Sequence, residues 1–188
     1  MKKIKVIGTG SYAQLIKSMI NEQNEFKFDS FIKIEEIENV KNESCFIGIG
    51  ENDIREKIYL KLINKNVNFI NLIHKNSYIA KDVKLGKGIL IQSGAIINPG
   101  SIISDNVIIN TNASVDHHCI VKENVHIASG VTICGNCLIE KNVFIGAGST
   151  IINRINIKKN SLVGSGSNVV RNVGENKKVY GNPAKNID

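Results

Sequence analysis

The chain has 188 residues, of which 42% are hydrophobic, and its formal net charge is +7. This size suits one ordinary domain or two small ones, and the apolar content argues against general disorder. No apolar run is long enough to span a bilayer, and the opening MKKIKVIGTG fits a buried strand better than a signal peptide. Scattered lysines and only 5% aromatic residues do not indicate nucleic-acid binding. We therefore expect a cytoplasmic protein that does not bind nucleic acid and does not insert into a membrane.

The N-terminal part predicts a small βαβ domain. The strand pattern KIKVI is followed by a Gly-x-Gly-x-x-Ala motif, formed by Gly8, Gly10 and Ala13, and then by a helical pattern. Such a turn lets a helix N-terminus receive a phosphate, although glycines can also serve only to permit a tight turn. Asp29 follows at the spacing typical of a ribose-binding acid. Because residues 1–73 are too few for a full dinucleotide fold, we predict a nucleotide-sugar site formed by Gly8, Gly10, Ser11 and Asp29.

Aliphatic residues then recur at every sixth position from Ile79 to Val169, sixteen times without an insertion. A period of six predicts a triangular β-solenoid, in which each hexad forms one side and one corner and three hexads complete a turn. Residues eighteen apart therefore stack on successive coils. We assign residues 74–174 to this β-solenoid and residues 175–188 to a C-terminal tail.

The four cysteines do not indicate a metal site. Cys119 and Cys137 share the small corner-packing position of the repeat, eighteen residues apart, so we expect both to be buried. Cys134 lies at a different position of its hexad. The CxxC formed by Cys134 and Cys137 therefore should not converge on a metal ion.

Two segments carry a resemblance to a known family. The motif NTNASVDHHC and the tail YGNPAK resemble those of the sugar O-acyltransferase family, which includes sialic acid O-acetyltransferases and bacterial nucleotide-4-amino-sugar N-acetyltransferases. The resemblance implies a left-handed parallel β-helix of hexapeptide repeats, preceded by a Rossmann-like domain that holds the nucleotide sugar. It also implies acetyl-CoA as co-substrate, bound between the subunits of a homotrimer, and no metal.

The same resemblance suggests roles for individual residues. It makes His117 the general base, Asn110 a contact for the acceptor or thioester, and His126 a second residue lining the site. Relatives usually carry an acid directly after the base, where this chain has His118. Asp116, on the other side of the base, is then a candidate for orienting His117.

The repeat spacing adds expectations of its own. Gly135 lies eighteen residues after His117, so the two should stack on neighbouring coils. The Gly135 N–H could then stabilise a thioester oxygen, or Gly135 could be an ordinary corner glycine. Since adjacent side chains of an extended segment point to opposite sides, we expect His117 and His118 to face apart.

The cofactor site is predicted at small residues near the end of the repeat. Gly146 and Ala147 could let an extended pantetheine arm lie flat along the coil edge. The resemblance places the Gly-x-Pro-Ala segment of the tail near the same cofactor. The predicted cofactor contacts are Gly135, Gly146, Ala147, Gly164, Asn182 and Pro183.

We therefore predict an acetyl-CoA-dependent N-acetyltransferase for a nucleotide-linked amino-sugar of the UDP-4-amino-4,6-dideoxy type, in surface glycan biosynthesis. O-acetylation of a sialic acid or related sugar would use the same base and stays open. A metal enzyme resembling the hexapeptide-repeat carbonic anhydrases would need paired histidines on one side of a coil, which His117, His118 and His126 do not supply. A non-catalytic binding module is the remaining alternative.

Overall fold

The computed structural model describes residues 1–187, and the chain divides between Leu72 and Ile73 into two compact units. No helix within the described residues is long and apolar enough to cross a membrane. The elements of the first unit are β1 (Lys2–Ile7), α1 (Ser11–Asn21), β2 (Phe26–Ile32), a 3-10 helix (Ile34–Asn39), β3 (Ser44–Ile47), α2 (Asn52–Leu62) and β4 (Asn68–Phe69).

A parallel sheet of order β2-β1-β3-β4 organises the first unit. The inner strand β1 is buried on both faces, and its residues Ile4, Val6 and Ile7 are fully buried. Because neighbouring strands run in the same direction, their carboxyl ends meet at one edge, where ligands of open α/β sheets commonly bind. Helix α1 follows β1 after a short turn, which brings its N-terminus to this edge.

The second unit consists of two-residue strands separated by four-residue corners, followed by a short hairpin. The strands β5 to β21 are Leu72–Ile73, Tyr78–Ile79, Lys84–Leu85, Leu90–Ile91, Ile96–Ile97, Ile102–Ile103, Ile108–Ile109, Ser114–Val115, Ile120–Val121, His126–Ile127, Thr132–Ile133, Leu138–Ile139, Phe144–Ile145, Thr150–Ile151, Asn156–Ile157, Leu162–Val163 and Asn168–Val169. The hairpin strands are β22 (Lys178–Gly181) and β23 (Ala184–Asn186).

Every third strand pairs in parallel, which confirms the predicted β-helix. Ser114 pairs with Thr132 and Val115 with Ile133, eighteen residues on. The first sheet contains β6, β9, β12, β15, β18 and β21, and the second contains β7, β10, β13, β16 and β19. The third runs from β5 through β8, β11, β14, β17, β20 and β22 to β23. The sixth-position aliphatics from Ile91 to Val169 point inward and are at most 1% exposed. Their burial supplies the main driving force for the coil stack.

The corners turn through left-handed backbone conformations that also stack. One column has asparagines on five successive coils, each with φ between 58° and 60°, and Gly88 takes the same position on the coil before them with φ of 69°. Asparagine tolerates this region better than most other residues. The amide of Asn106 donates to Oδ1 of Asn124, and that of Asn124 donates to Oδ1 of Asn142, each over 2.7 Å. The asparagines of this column are Asn106, Asn124, Asn142, Asn160 and Asn176.

We predict that Asn124→Gly destabilises the solenoid more than Asn112→Gly does. Both residues have positive φ, so glycine relieves strain equally at each position. Asn124 is buried within the amide ladder, whereas Asn112 is exposed. Loss of the buried amide leaves two partners unsatisfied, so Asn124→Gly should lower the free energy of unfolding by about 1–3 kcal/mol more. Urea denaturation followed by circular dichroism measures the difference, and equal midpoints would contradict a stabilising ladder.

Candidate active site

The first unit contains a cleft of about 680 Å³ at the carboxyl edge of its sheet. This volume is within the range of small-molecule sites. The glycine motif after β1, the chain after β2 and the chain after β3 each supply one wall. The lining residues fall in segments 8–12, 33–35 and 48–51, together with Ile54.

The small residues of the motif let the chain segments approach closely. Gly8 has a φ of +109°, and a Cβ there would lie 3.2 Å from the Gly48 carbonyl oxygen. A Cβ on Gly48 would lie 2.9 Å from the Cα of Ala13, the third residue of the motif. The close packing of these two chain segments therefore requires small residues at both positions. Gly10 has no atom within 4 Å of its Cβ position. The backbone at Gly10 is therefore open to a ligand.

The N-terminus of α1 is the part of the cleft that suits an anion. Helix α1 begins at Ser11 without a side-chain cap and without an acidic residue in its first turn. Its first N–H groups are therefore available to a phosphate, which the helix dipole also favours. Lys33 adds a cationic side chain to the lining, and Glu35 and Glu51 add two acidic ones outside α1.

The structure corrects the predicted role of Asp29. This residue lies within β2, where its carboxylate is 3.7 Å from the ammonium of Lys3, and it does not line the cleft. The prediction places Asp29 by counting residues from the glycine motif. The cleft instead forms at the carboxyl end of β2, which lies beyond Asp29. Lys33, directly after the end of β2, occupies that place.

Two further side chains support the cleft and were not expected from the sequence. Arg55 is 1% exposed and donates to the Gly50 carbonyl oxygen over 2.8 Å and to Asn52 Oδ1 over 2.9 Å, which fixes the chain after β3. Burial lowers the pKa of Arg55 to about 10, so it remains charged at neutral pH. The Tyr12 hydroxyl is buried without a hydrogen-bond partner among residues 1–187, and burial raises the pKa of Tyr12 to about 12.

In the second unit, the HH motif lies at the corner that follows β12. This corner and its neighbours on adjacent coils, residues 98–100, 116–118 and 134–136, form what we call the His117 edge. The His117 side chain is 47% exposed. Its backbone N–H donates to Asp116 Oδ1 over 2.8 Å, and the Asn98 amide donates to the same oxygen over 3.0 Å. These two bonds hold the pKa of the Asp116 carboxyl below its usual value.

The imidazole of His117 lies against Gly135, as the repeat spacing predicts. A Cβ at Gly135 would come within 2.6 Å of both Cε1 and Nε2 of His117. Only glycine therefore leaves room for the ring on that side. The Gly135 N–H has no hydrogen-bond acceptor among residues 1–187. One polar donor and one imidazole thus lie side by side at this corner.

The expectation that His117 and His118 face apart is wrong. His118 has a φ of 56°, so the segment is a corner and not an extended strand. The two rings pack edge to face with centroids 5.3 Å apart, and their Nδ1 atoms are 3.1 Å apart. Asp116 Oδ2 is 4.0 Å from Nε2 of His117, which is too long for a hydrogen bond. His118, and not Asp116, therefore contacts the ring of His117 directly.

Below this corner the cysteines belong to the core. Cys119 and Cys137 are 0% and 2% exposed. The hydrogen bond with Cys137, together with burial, raises the pKa of the Cys119 thiol above its ordinary value, which opposes a role as nucleophile. No group of three or more metal-ligating side chains occurs within the described part of the chain.

The predicted cofactor contacts other than Gly135 lie along a different edge. We call residues 110–112, 128–130, 146–148 and 164–166 the Ala147 edge. Ala147 is exposed there, but Gly146 and Gly164 are buried. A Cβ on Gly146 would strike the backbone of Ser165, and one on Gly164 would strike the ring of Tyr180. These two glycines are needed for packing, which corrects their predicted role as open surface for the cofactor.

The C-terminal hairpin meets the last coil at the Ala147 edge. The Gly181 N–H donates to Ser167 Oγ over 3.1 Å, and the Asn168 amide donates to Asn182 Oδ1 over 3.2 Å. Asn182 and Pro183 are both exposed. The exposed tail and the exposed small residues thus lie on one continuous surface.

The two remaining predicted residues are separated from His117. Asn110 is on the Ala147 edge, where its Oδ1 accepts the Thr111 N–H over 2.8 Å. His126 lies in β14 on the third sheet and packs edge-on against Phe144, with centroids 5.1 Å apart. Within one chain, the Ala147 edge precedes the strands of the first sheet and the His117 edge follows them, so the two edges lie at opposite ends of these strands. One copy of the chain therefore does not bring all the predicted site residues together.

No protein-family model matches the chain, and the search of curated proteins found no match. Solved structures do match it. The acetyltransferase domain of PglB from Neisseria gonorrhoeae FA1090 is 26% identical, with a TM-score of 0.91 and 100% of both chains covered. The same domain in complex with acetyl coenzyme A is 25% identical, with a TM-score of 0.89 and 99% of both chains covered.

Two other solved structures share the fold. PerB from Caulobacter crescentus, in complex with CoA and GDP-perosamine, is 24% identical, with a TM-score of 0.92 and coverage of 100% of this chain and 98% of PerB. WeeI from Acinetobacter baumannii AYE is 23% identical, with a TM-score of 0.88 and 100% of both chains covered. At these identities the likeness shows the fold alone. Together the matches confirm the resemblance to hexapeptide-repeat sugar acyltransferases.

Proposed function

We propose that this chain transfers an acetyl group from acetyl-CoA to the amine of a nucleotide-linked amino-sugar, of the UDP-4-amino-4,6-dideoxy type, in surface glycan biosynthesis. The observation that carries the proposal is the exposed His117 imidazole beside the unpaired Gly135 N–H. The solved relatives support it, since one is an acetyltransferase domain with acetyl coenzyme A and another holds CoA and GDP-perosamine.

His117 acts as the general base in a direct transfer. The amine nitrogen of the sugar attacks the thioester carbonyl carbon while Nε2 of His117 takes one amine proton. The C–S bond then breaks, and the proton passes from His117 to the departing thiolate of CoA. No acyl-enzyme forms, in agreement with the buried state of Cys119.

Two neighbours of His117 act on the charges that develop. The Gly135 N–H donates to the carbonyl oxygen as it becomes an oxyanion, which is the usual role of an unpaired backbone donor near the reacting carbon. The Asp116 carboxylate, 4.0 Å from Nε2, favours the imidazolium that forms on proton uptake. Its lowered pKa keeps Asp116 ionised at neutral pH.

The first unit binds the nucleotide part of the acceptor, as a Rossmann-like domain does. The diphosphate lies at the N-terminus of α1, near Gly8, Gly10 and Ser11, where the backbone is open and the helix dipole favours an anion. Lys33 adds a positive charge at the same cleft. Arg55 acts indirectly, because its hydrogen bonds hold the chain after β3 in place.

The complete site forms between subunits of a homotrimer built on left-handed β-helices. The pantetheine arm of CoA lies along the exposed Ala147, Asn182 and Pro183 of one subunit and meets His117 of the next. The separation of the Ala147 edge and the His117 edge within one chain supports this arrangement. A column of aliphatic side chains lies on the outer face of the second sheet, next to the His117 edge. Its first residue in chain order, Ile102, is 38% exposed. The column is Ile102, Ile120 and Leu138.

The first prediction concerns acetyl transfer. We expect the parent protein to consume acetyl-CoA with at least one of UDP-, dTDP- and GDP-linked 4-amino-sugars, and His117→Ala to lower kcat by about 10²–10⁴-fold. His74→Ala is the matched control, because His74 lies outside both edges and should retain activity. A thiol-release assay measures the rates. Free sialic acids in the same panel test O-acetylation, and equal rates for parent and His117→Ala would contradict the role of the base.

The second prediction concerns assembly. Ile120 is the centre of the aliphatic column, so Ile120→Glu places a charge in the proposed contact and should dissociate the trimer. Leu60→Glu is the control, since Leu60 is an exposed apolar residue of the first unit. Analytical ultracentrifugation should find the parent and Leu60→Glu as trimers and Ile120→Glu as a monomer without activity. A monomeric, fully active parent would contradict a site shared between subunits.

A further inference from the structure

His118 occupies a corner position at which the backbone is left-handed on several coils. The residues stacked with it are Gly100 on the preceding coil, Asn136 on the following coil and Arg154 two coils on, with φ of 74°, 60° and 61°. The left-handed conformation of His118 turns its ring to the same side as that of His117. Histidine is not required here for the turn, since glycine and asparagine make the same corner one coil away. The backbone turn therefore does not explain why the residue at position 118 is a histidine.

Each of the two rings is seated over a glycine of a different coil. His117 lies against Gly135 on the following coil, at 2.6 Å from the Cβ position. His118 lies against Gly100 on the preceding coil, where its Cδ2 is 2.7 Å and its Nε2 is 3.0 Å from the Cβ position. Neither ring could stay in place if its glycine carried a side chain. The two glycines thus allow one arrangement of the pair, in which the Nδ1 atoms face each other over 3.1 Å.

We propose that His118 is a positioning residue, which holds His117 in the Nδ1–H tautomer and leaves Nε2 of His117 free to take the proton. The inference rests on the proposed function for the role of Nε2. Between two neutral imidazoles, one Nδ1 must donate and the other must accept. If His117 donates, its Nε2 has the lone pair that a base needs. If His118 donated, Nε2 of His117 would carry a proton and could not act as a base.

Two carboxylates near the pair act on the tautomers in opposite directions. The Gly100 N–H donates to Asp82 Oδ2 over 2.9 Å, so a carboxylate adjoins the glycine on which the His118 ring rests. A negative charge on that side favours the proton at Nε2 of His118, which leaves its Nδ1 as the acceptor. Asp116 Oδ2, 4.0 Å from Nε2 of His117, favours a proton on that nitrogen instead. The hydrogen bond to Nδ1 of His118 is therefore what holds the His117 proton at Nδ1, and its removal releases the ring to the other tautomer. When His117 takes a second proton, its Nδ1–H becomes a charge-assisted donor and the bond to His118 strengthens. The pair thus supports the base before and after proton uptake.

The test reads the tautomer directly. Long-range ¹H–¹⁵N spectra of ¹⁵N-histidine-labelled protein distinguish Nδ1–H from Nε2–H imidazoles. We expect the Nδ1–H tautomer for His117 in the parent and its loss in His118→Gly, a variant that keeps the corner because Gly100 makes the same turn. His118→Glu should restore the Nδ1–H tautomer, since a carboxylate also accepts, and Arg154 shows that a long side chain fits this corner. Asn136→Gly is the matched control and should leave the His117 tautomer unchanged.

Kinetics supply the second readout. We expect His118→Gly to lower kcat by roughly 10–100-fold with little change in KM for either substrate, and His118→Glu to recover part of the rate. A His117 tautomer of Nε2–H in the parent, or an unchanged tautomer in His118→Gly, would overturn the inference even if the enzyme is active. The expected tautomers in a protein that acetylates no acceptor would support the pairing and contradict the proposed function instead.

Discussion

The structure of the second unit depends on one constraint, namely that an aliphatic side chain must enter the axis at every sixth residue. The inward residues from Ile91 to Val169 are almost completely buried, so each coil is stable only on its neighbours. A two-residue strand then leaves four residues to turn each corner, and one of these takes a left-handed conformation at most corners. The positions of all outward side chains follow from this alternation of strand and corner.

The candidate catalytic site is built from the same constraint. Stacking at eighteen residues places Gly135 over His117 and Gly100 under His118, so two missing side chains make the space for two imidazoles. The left-handed turn at His118 then brings the two rings into contact. A solenoid corner thus becomes a place where two imidazoles and an unpaired backbone N–H lie together.

Much of this arrangement could be predicted from the sequence, because strand pairing fixes which residues stack. The position of Gly135 over His117 and the burial of Cys119 follow directly from the repeat. The contact between His117 and His118 could not be predicted from residue type, because histidine does not signal a left-handed turn. Gly100, eighteen residues before His118, does indicate a left-handed turn at the stacked position. Asp29 was misplaced because the sequence does not show where β2 ends, and the cleft forms at that end.

The most direct test of the account is a crystal structure with an acetyl-CoA analogue and a nucleotide-linked amino-sugar bound together. The account predicts that the acceptor nitrogen lies within hydrogen-bonding reach of Nε2 of His117, at about 2.6–3.2 Å. It also predicts that the thioester oxygen lies about 2.7–3.1 Å from the Gly135 nitrogen, with the CoA arm on the Ala147 edge of a neighbouring subunit. A thioester bound far from His117, or a His117 ring turned away from the acceptor, would contradict it.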